Sequence, residues 1–574
     1  MEWNHECQVV VVGSGNGGMT AALTSFESGV KDIILIEKSS RYGGSSSLSG
    51  GGVWIPCNHY ALAAGAKDSK AEALNYLKQT IPDNVPEELL KIYLDKGPEM
   101  LEFLHQKTRV RYESLAMYPD YYTSLEGAKE GHRSLEPEPL MISELGDDWK
   151  NLQQTHHMMY LFDRIAFTQK EAHLLVTRGK GWIGLTTRLI WDYITDIGWR
   201  FKSRRSRRIT NGCAGIARLR LSMADRNIPL WLNTSLESLI TSDSGEVIGI
   251  TAIQAGKKLS IRATEGVILA AGGFEASQKM REQFLPKPTN SQWSAGCKTN
   301  TGDAHNAAMA IGASTRQMDG AWWCTTFNTP GEPLPRLAIM EKSLPGSCVV
   351  NNQGKRIANE SQNYMAYQLE FFKAHSEQFP CVPAWFVFDR RFREKYIVGP
   401  LLDTQSKPDF MIPQSWYSSG FLHKAKTIEE LAKSTGINEE GLKDTINKMN
   451  KYAEKGVDED FNRGGTAYDR YYGDETVKPN PCLAPLSKPP FYAMRIEPGD
   501  FGTQGGMEID ENARVLDLEG KPIHGLYAIG NCSAAVLPTY PGPGSTLGPA
   551  MTFGYLAAKD IARRATNKTS NPCQ

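Results

Sequence analysis

The stretch that most limits what this chain can become lies at its start. Residues 7–44 read CQVVVVGSGNGGMTAALTSFESGVKDIILIEKSSRYGG. Val9 to Val12 are a β-branched run of the kind that forms a buried parallel strand. Gly13, Gly15 and Gly18 follow as G-x-G-x-x-G, with Ser14 and Gly17 between them. The first glycine permits a tight turn, the second lets a pyrophosphate approach the backbone, and the third lets the next helix pack on the strand. Met19 to Ser28 reads as that helix, with its N-terminus toward the phosphates. Ile33 to Ile36 reads as the second strand, and Glu37 ends it. An acid about 20 positions after the glycines is placed to bind ribose hydroxyls.

A second Gly/Ser-rich loop follows within a few residues, in EKSSRYGGSSSLSGGGVWIP (Glu37 to Pro56). Lys38, Ser39, Gly43, Gly44, Ser45, Ser46, Gly50 and Gly51 offer N–H groups and hydroxyls to further phosphate oxygens or to a flavin ring. A flexible linker would be Gly/Ser throughout, whereas Val53, Trp54 and Ile55 are embedded here. Two later strands end in small residues, where a cofactor must come close. They are GVILAAGGFEAS, with Ala271 and Gly272, and GLYAIGNCSAA, with Gly530 and Asn531. The two-loop arrangement resembles the FAD-binding proteins of the fumarate reductase and ketosteroid dehydrogenase group. That resemblance implies FAD, held non-covalently because no His or Cys sits in a flavin-linking motif. It adds Leu236, Ser545 and Leu547 to the expected cofactor wall.

Length and composition bound the rest. A chain of 574 residues exceeds what one core usually organises. Hydrophobic residues at 40% and charged residues at 22% describe a globular protein. Basic and acidic residues number 64 each, so charge offers no argument for nucleic acid. The ten cysteines form no C-x-x-C pair, and a reducing, cytoplasmic setting is expected. Neither a signal peptide nor an apolar run of the roughly 20 residues that span a bilayer is read.

From about Ala321 to Pro489 aromatics and prolines are dense. One amphipathic helix is expected over TIEELAKSTGINEEGLKDTINKMNKYAEKG, punctuated by Gly436 and Gly456. The expected fold is α/β: a Rossmann-like FAD-binding domain with an inserted α+β substrate/catalytic domain. The FAD-binding part takes 1–320 and 490–574, and the inserted part 321–489. A stretch near 181–212 places Trp182, Trp191, Trp199 and several isoleucines before Arg200, Lys202, Arg204, Arg205, Arg207 and Arg208. That pattern suits either a peripheral membrane contact or a solvated loop over ordinary core.

The C-terminal TYPGPGSTLGPAMTFGYLAA (Thr539 to Ala558) sets a phenol on a Pro/Gly-stiffened turn before a helix. With YPDYY, NTGDA, ANES and GTQGGMEID, it makes the chain resemble the 3-ketosteroid Δ1-dehydrogenases over nearly its whole length. The resemblance implies removal of a proton from carbon 2 and a hydride from carbon 1 of a steroid A ring, an external electron acceptor, and no metal. It implies that Tyr540 and the backbone N–H of Gly544 polarise the ketone. Tyr364 would take the proton, with Tyr367 as its rival because Asn363 stands where a proline is common. Tyr121 would assist the base. A phenol near pKa 10 needs its pKa lowered, and a hydrogen bond from Tyr121 is expected to do so. Two other chemistries on the same scaffold are a ketosteroid dehydrogenase acting across carbons 4 and 5, and a fumarate-reductase-type enzyme. The second would need arginines to clamp carboxylates.

Overall fold

The computed structural model describes residues 2–177 and 180–570. The opening strand His5–Val12 pairs in parallel with Ile33–Ile36 on one side and Lys257–Leu269 on the other. A strand flanked this way has no solvent face, which is why Val9 to Val12 are all apolar and all buried. Between the first two strands lies the helix Asn16–Glu27, begun by Gly15. The C-terminal helix Leu547–Ser570 packs against it.

The first sheet runs in the order Leu230–Trp231, Ile33–Ile36, His5–Val12, Lys257–Leu269, Val247–Gln254, Thr234–Thr241. The long strand Lys257–Leu269 serves twice. Its first half pairs antiparallel with Val247–Gln254, and its last residues run parallel to His5–Val12 and to Pro522–Ala528. Val12, Ile36, Leu269 and Ala528 therefore end together on one edge. Open α/β sheets bind their ligands at the carboxyl ends of such strands.

The second sheet is antiparallel in every pairing, in the order Arg336–Leu337, Ala321–Phe327, Phe491–Thr503, Ala384–Phe388, Ser347–Val350. Leu422–Ala425 also pairs with the long strand Phe491–Thr503. Strand periodicity of two divides its side chains between two cores. Phe386 and Phe388 pack with Tyr367 and Phe371 of the helix Tyr364–Ala374. Trp385 and Val387 pack on the other face with Leu431, Ile446 and Met449.

Two expectations change. The amphipathic stretch is two helices, Ile428–Thr435 and Glu439–Lys455, because Gly436 adopts the left-handed conformation at φ 76° and ends the first. The return of the chain to the first sheet comes later than residue 490. Phe491–Thr503 is the central strand of the second sheet, and the first sheet is rejoined at Arg514–Leu516 and Pro522–Ala528.

Candidate functional site

The glycine loop is pressed flat against the sheet's edge. A Cβ at Gly13, whose φ is +110°, would stand 2.3 Å from the Ala270 carbonyl oxygen. One at Gly18 would stand 2.2 Å from the Gly13 oxygen, and one at Gly17 2.8 Å from the Ala550 oxygen. Only glycine permits these approaches, and they leave the N-terminal turn of Asn16–Glu27 free to meet a phosphate group. Glu37 accepts from Ser14 N at 3.2 Å and Ser14 Oγ at 2.5 Å through one oxygen, and from Ser39 N at 2.9 Å through the other. Burial pushes its carboxyl upward, and these hydrogen bonds oppose that. Lys38 reaches Asp303 at 2.8 Å and Thr301 at 2.5 Å. The cradle, the terminal acid and the surrounding hydroxyls fit the dinucleotide part of FAD.

One cleft runs from this cradle to a cluster of tyrosines. It is lined at the near end by Gly13–Gly18, Glu37, Lys38, Gly44, Ser45, Ser46, Gly50, Gly51, Leu236, Ala271, Gly272, Gly530, Asn531 and Leu547. Ser39, Gly43 and Ser545 stand one layer back. Ser39 holds Glu37, Gly43 N donates to Ser14 Oγ at 3.0 Å, and Ser545 Oγ donates to the Gly542 oxygen at 2.6 Å.

At the far end Tyr121, Tyr364 and Tyr540 converge. Their ring centroids lie 5.5 to 5.7 Å apart, and all three are buried. Tyr121 Oη donates to Tyr364 Oη at 3.1 Å. Phe501 and Trp322 pack edge-on against Tyr540, and Trp322 Nε1 donates to Asn531 Oδ1 at 3.1 Å. Beyond them the wall is mostly apolar, with Met158, Met159, Phe167, Leu337, Ile339 and Met340, and is interrupted by His156, Gln169, His173 and Glu341. Tyr367 is elsewhere: fully buried in the core of the second sheet and outside the cleft wall.

The turn Tyr540–Gly544 is held in an unusual shape. Tyr540 has φ +59°, uncommon for a bulky residue and costing on the order of 1–3 kcal/mol. Gly544 has φ +104°, and a Cβ there would meet Trp54 N and the Val53 backbone at 2.6 Å. The Pro541 oxygen accepts from Tyr121 N at 2.9 Å and Tyr76 Oη at 2.6 Å. Burial pushes the Tyr540 phenol upward, and hydrogen bonding with Tyr364 and the Gly544 backbone opposes that.

The expected lowering of the base is present but outweighed. Burial raises Tyr364 well above the ordinary phenol value, Tyr540 adds to that, and the hydrogen bond from Tyr121 lowers it only in part. Desolvation depends on the packed surroundings and leaves no mark in the sequence, whereas a single hydrogen bond between two tyrosines does. Trp322, Phe501 and Asn300 also line the cleft and are not among the expected site residues. NTGDA contains Asn300, whose amide donates to Ser45 Oγ at 3.2 Å, and that motif was the available signal.

Residues 8–547 match the family model described as FAD binding domain. A curated 3-oxosteroid 1-dehydrogenase of Mycolicibacterium smegmatis is 41% identical, covering 98% of both chains. The crystal structure of 3-ketosteroid delta1-dehydrogenase from Sterolibacterium denitrificans in complex with 1,4-androstadiene-3,17-dione is 44% identical, with a TM-score of 0.94 over 98% of this chain and 100% of that one. A 4-oxocyclohexanecarboxylate 2-dehydrogenase of Sinomonas cyclohexanicum is 37% identical, covering 97% of this chain and 93% of that protein.

Proposed function

The chain belongs to the FAD-binding flavoproteins and, within them, to the 3-oxosteroid 1-dehydrogenases, and on that premise we propose how its residues divide the reaction. It is an FAD-dependent oxidoreductase that introduces the double bond between carbons 1 and 2 of a 3-ketosteroid A ring. When bound, FAD supplies the acceptor for the hydride from carbon 1. Gly13 to Gly18, Glu37, Ser45, Ser46, Gly272 and Asn531 would hold it.

The remaining chemistry falls to side chains. A C–H beside a ketone is too weak an acid for a phenol unless the ketone oxygen is polarised as enolate charge develops. Tyr540 Oη and the Gly544 N–H donate to that oxygen. Tyr364 takes the carbon 2 proton, and Tyr121 donates to its oxygen and stabilises the phenolate. The observation that carries this reading is the single cleft joining a dinucleotide cradle to three convergent phenols.

A carboxylate substrate is the alternative raised by the cyclohexane relative and by fumarate-reductase chemistry. It would need cations, and among the described residues the cleft wall includes one lysine or arginine, Lys38 at the cradle end. The mostly apolar far wall, whose one acid among the described residues is Glu341, favours a steroid over a carboxylate. The test is turnover of a 3-keto-4-ene steroid with an artificial electron acceptor, in parallel with 4-oxocyclohexanecarboxylate. A 1,4-diene product by NMR supports the reading; a faster reaction with the carboxylate, or a double bond elsewhere, sinks it.

A second reading concerns where the enzyme works. No described helix is long and apolar enough to cross a membrane. Yet the helix Trp182–Thr195 and the turn after it expose Ile183, Trp191, Ile194, Ile197 and Phe201, the last at 88%. Lys202, Arg204 and Arg207 are exposed beside them. Arg205, Arg207 and Arg208 bond to Asp163, Asp196 and Glu171, so the basic cluster is partly committed within the protein. Trp199 turns inward onto Trp149. Apolar side chains ringed by basic ones suit the surface of an anionic bilayer. Sedimentation with phosphatidylglycerol-containing vesicles at low salt, lost in Trp191→Ser/Phe201→Ser, is expected. Native protein that stays in the supernatant ends the idea.

A further inference from the structure

The Pro-Gly-Pro-Gly sequence stiffens the turn Tyr540–Gly544 but does not fix where the turn sits. Two residues outside the cleft wall do. Trp54 is fully buried at the end of the short strand Val53–Trp54. Its backbone N–H donates to the Gly544 oxygen at 3.2 Å. Its indole lies against Gly542 so closely that a Cβ there would stand 2.2 Å from Nε1. Trp54 Nε1 donates to Asp120 Oδ1 at 2.7 Å, which fixes the ring's rotation.

Asp120 is itself immobilised. Its Oδ2 accepts from Arg133 Nη1 at 2.7 Å and Lys129 N at 2.9 Å. Arg133, also buried, is pinned on its other side by Asp68 at 2.7 Å. The next residue along, Tyr121, donates its backbone N–H to Pro541 and its hydroxyl to Tyr364. One short segment therefore grips the turn and carries the group that assists the base.

We infer that Trp54 and Asp120 are positioning residues for the two ketone-polarising donors, acting through the turn without touching substrate. This rests on the reading of Tyr540 given above. An oxyanion donor must lie within about 3 Å of where charge develops, and a displacement of about 1 Å made far from the chemistry can cost up to a hundredfold in rate.

The test is a double-mutant cycle. Trp54→Phe keeps the ring's bulk and removes the Nε1–H. It is expected to lower kcat about tenfold, with KM moved less than about threefold, because the loss falls on the transition state. In a Tyr540→Phe background, expected to be slowed roughly 10²–10³-fold, the same change should lower kcat less than about threefold, since one of the two donors it positions is gone and only the Gly544 N–H remains to be displaced. A merely structural tryptophan would give the same factor in both backgrounds, and that outcome overturns the proposal, as does native kcat in Trp54→Phe. Tyr540→Phe near the native rate would instead overturn the reading of Tyr540 itself. Flavin occupancy is measured for each variant. If Trp54→Phe loses flavin or fails to fold, Asp120→Asn against Asp120→Ala replaces it in the cycle. The amide retains an acceptor for the indole and should keep the higher kcat; equal values overturn the proposal.

Discussion

Tyr364 and Tyr367 stand one helical turn apart, and only the first reaches the cleft. Sequence could not choose between them, because both follow the same motif within four residues. Asn363 sets where their helix begins. Its side chain accepts from Ala366 N and caps the helix, so that Tyr364 is the first helical residue and turns toward Tyr121. Asparagine here supplies a cap that a proline could not. By contrast Tyr540 was legible, because a phenol flanked by Pro-Gly-Pro-Gly is rare enough to mark a built turn. At this scale the proposed base, Tyr364, is the group to test. In that role it works when deprotonated, so activity should rise with pH through its pKa. Tyr121→Phe deletes the one hydrogen bond that lowers that pKa, while burial, which raises it, stays. The rising limb of the kcat profile should therefore move to higher pH, with flavin content unchanged. A profile superimposable on the native one would show that Tyr121 does not act on the base.

At the scale of elements, the strand–loop–helix–strand opening was readable because its apolar run, glycine spacing and terminal acid make one continuous pattern, even though the backbone that Gly13 and Gly17 press on, Ala270 and Ala550, lies far along the chain. Gly13, Gly18 and the Val9–Val12 run all behave as their sequence spacing implies. The turn before the last helix is different, since what makes Gly544 obligatory is Trp54, nearly five hundred positions earlier. Its φ of +104° and the 2.6 Å approach to Trp54 N leave no room for a methyl group. Gly544→Ala should push the turn off Val53–Trp54 at a cost of about 1–3 kcal/mol in stability. It should also reduce kcat at least as much as Tyr540→Phe, because both donors move together. Thermal unfolding and steady-state kinetics check the two halves. A stable, active Gly544→Ala protein would mean that the turn tolerates displacement and that its donors are not preorganised.

At the scale of the whole molecule, the two sheets meet through buried polar groups that sequence reading could not pair, since the partners lie more than two hundred residues apart. Arg281 Nη1 donates to Asp500 Oδ2 at 2.6 Å, with both side chains at 0% exposure. Asp500 lies on the long strand of the second sheet, and Arg281 lies on the helix Gln278–Phe284, which follows the first sheet's long strand Lys257–Leu269. Phe274 N donates to Thr503 Oγ1 at 3.0 Å across the same junction. Glu275 sits among them. One oxygen accepts from Asn300 Nδ2 at 2.7 Å, and the other has no hydrogen-bond partner among the described residues. The guanidinium beside it is already committed to Asp500. Burial first, and the Asp500 charge second, push the Glu275 carboxyl up to about 7. A carboxyl whose folded pKa lies above its unfolded value makes the folded state bind the extra proton. Its effect on stability is thus most favourable below the usual carboxylate range and is lost as pH rises toward 7. Above that, the fold carries a buried carboxylate without a cation of its own. Glu275→Gln removes the titration while keeping an acceptor for Asn300. The variant should therefore gain stability relative to the native protein as pH rises from 5 to 8. Melting temperatures of both proteins across that range, with flavin saturating, measure the difference. A difference that does not change with pH would mean that Glu275 stays ionised throughout, and that the junction supplies it with a positive partner other than Arg281.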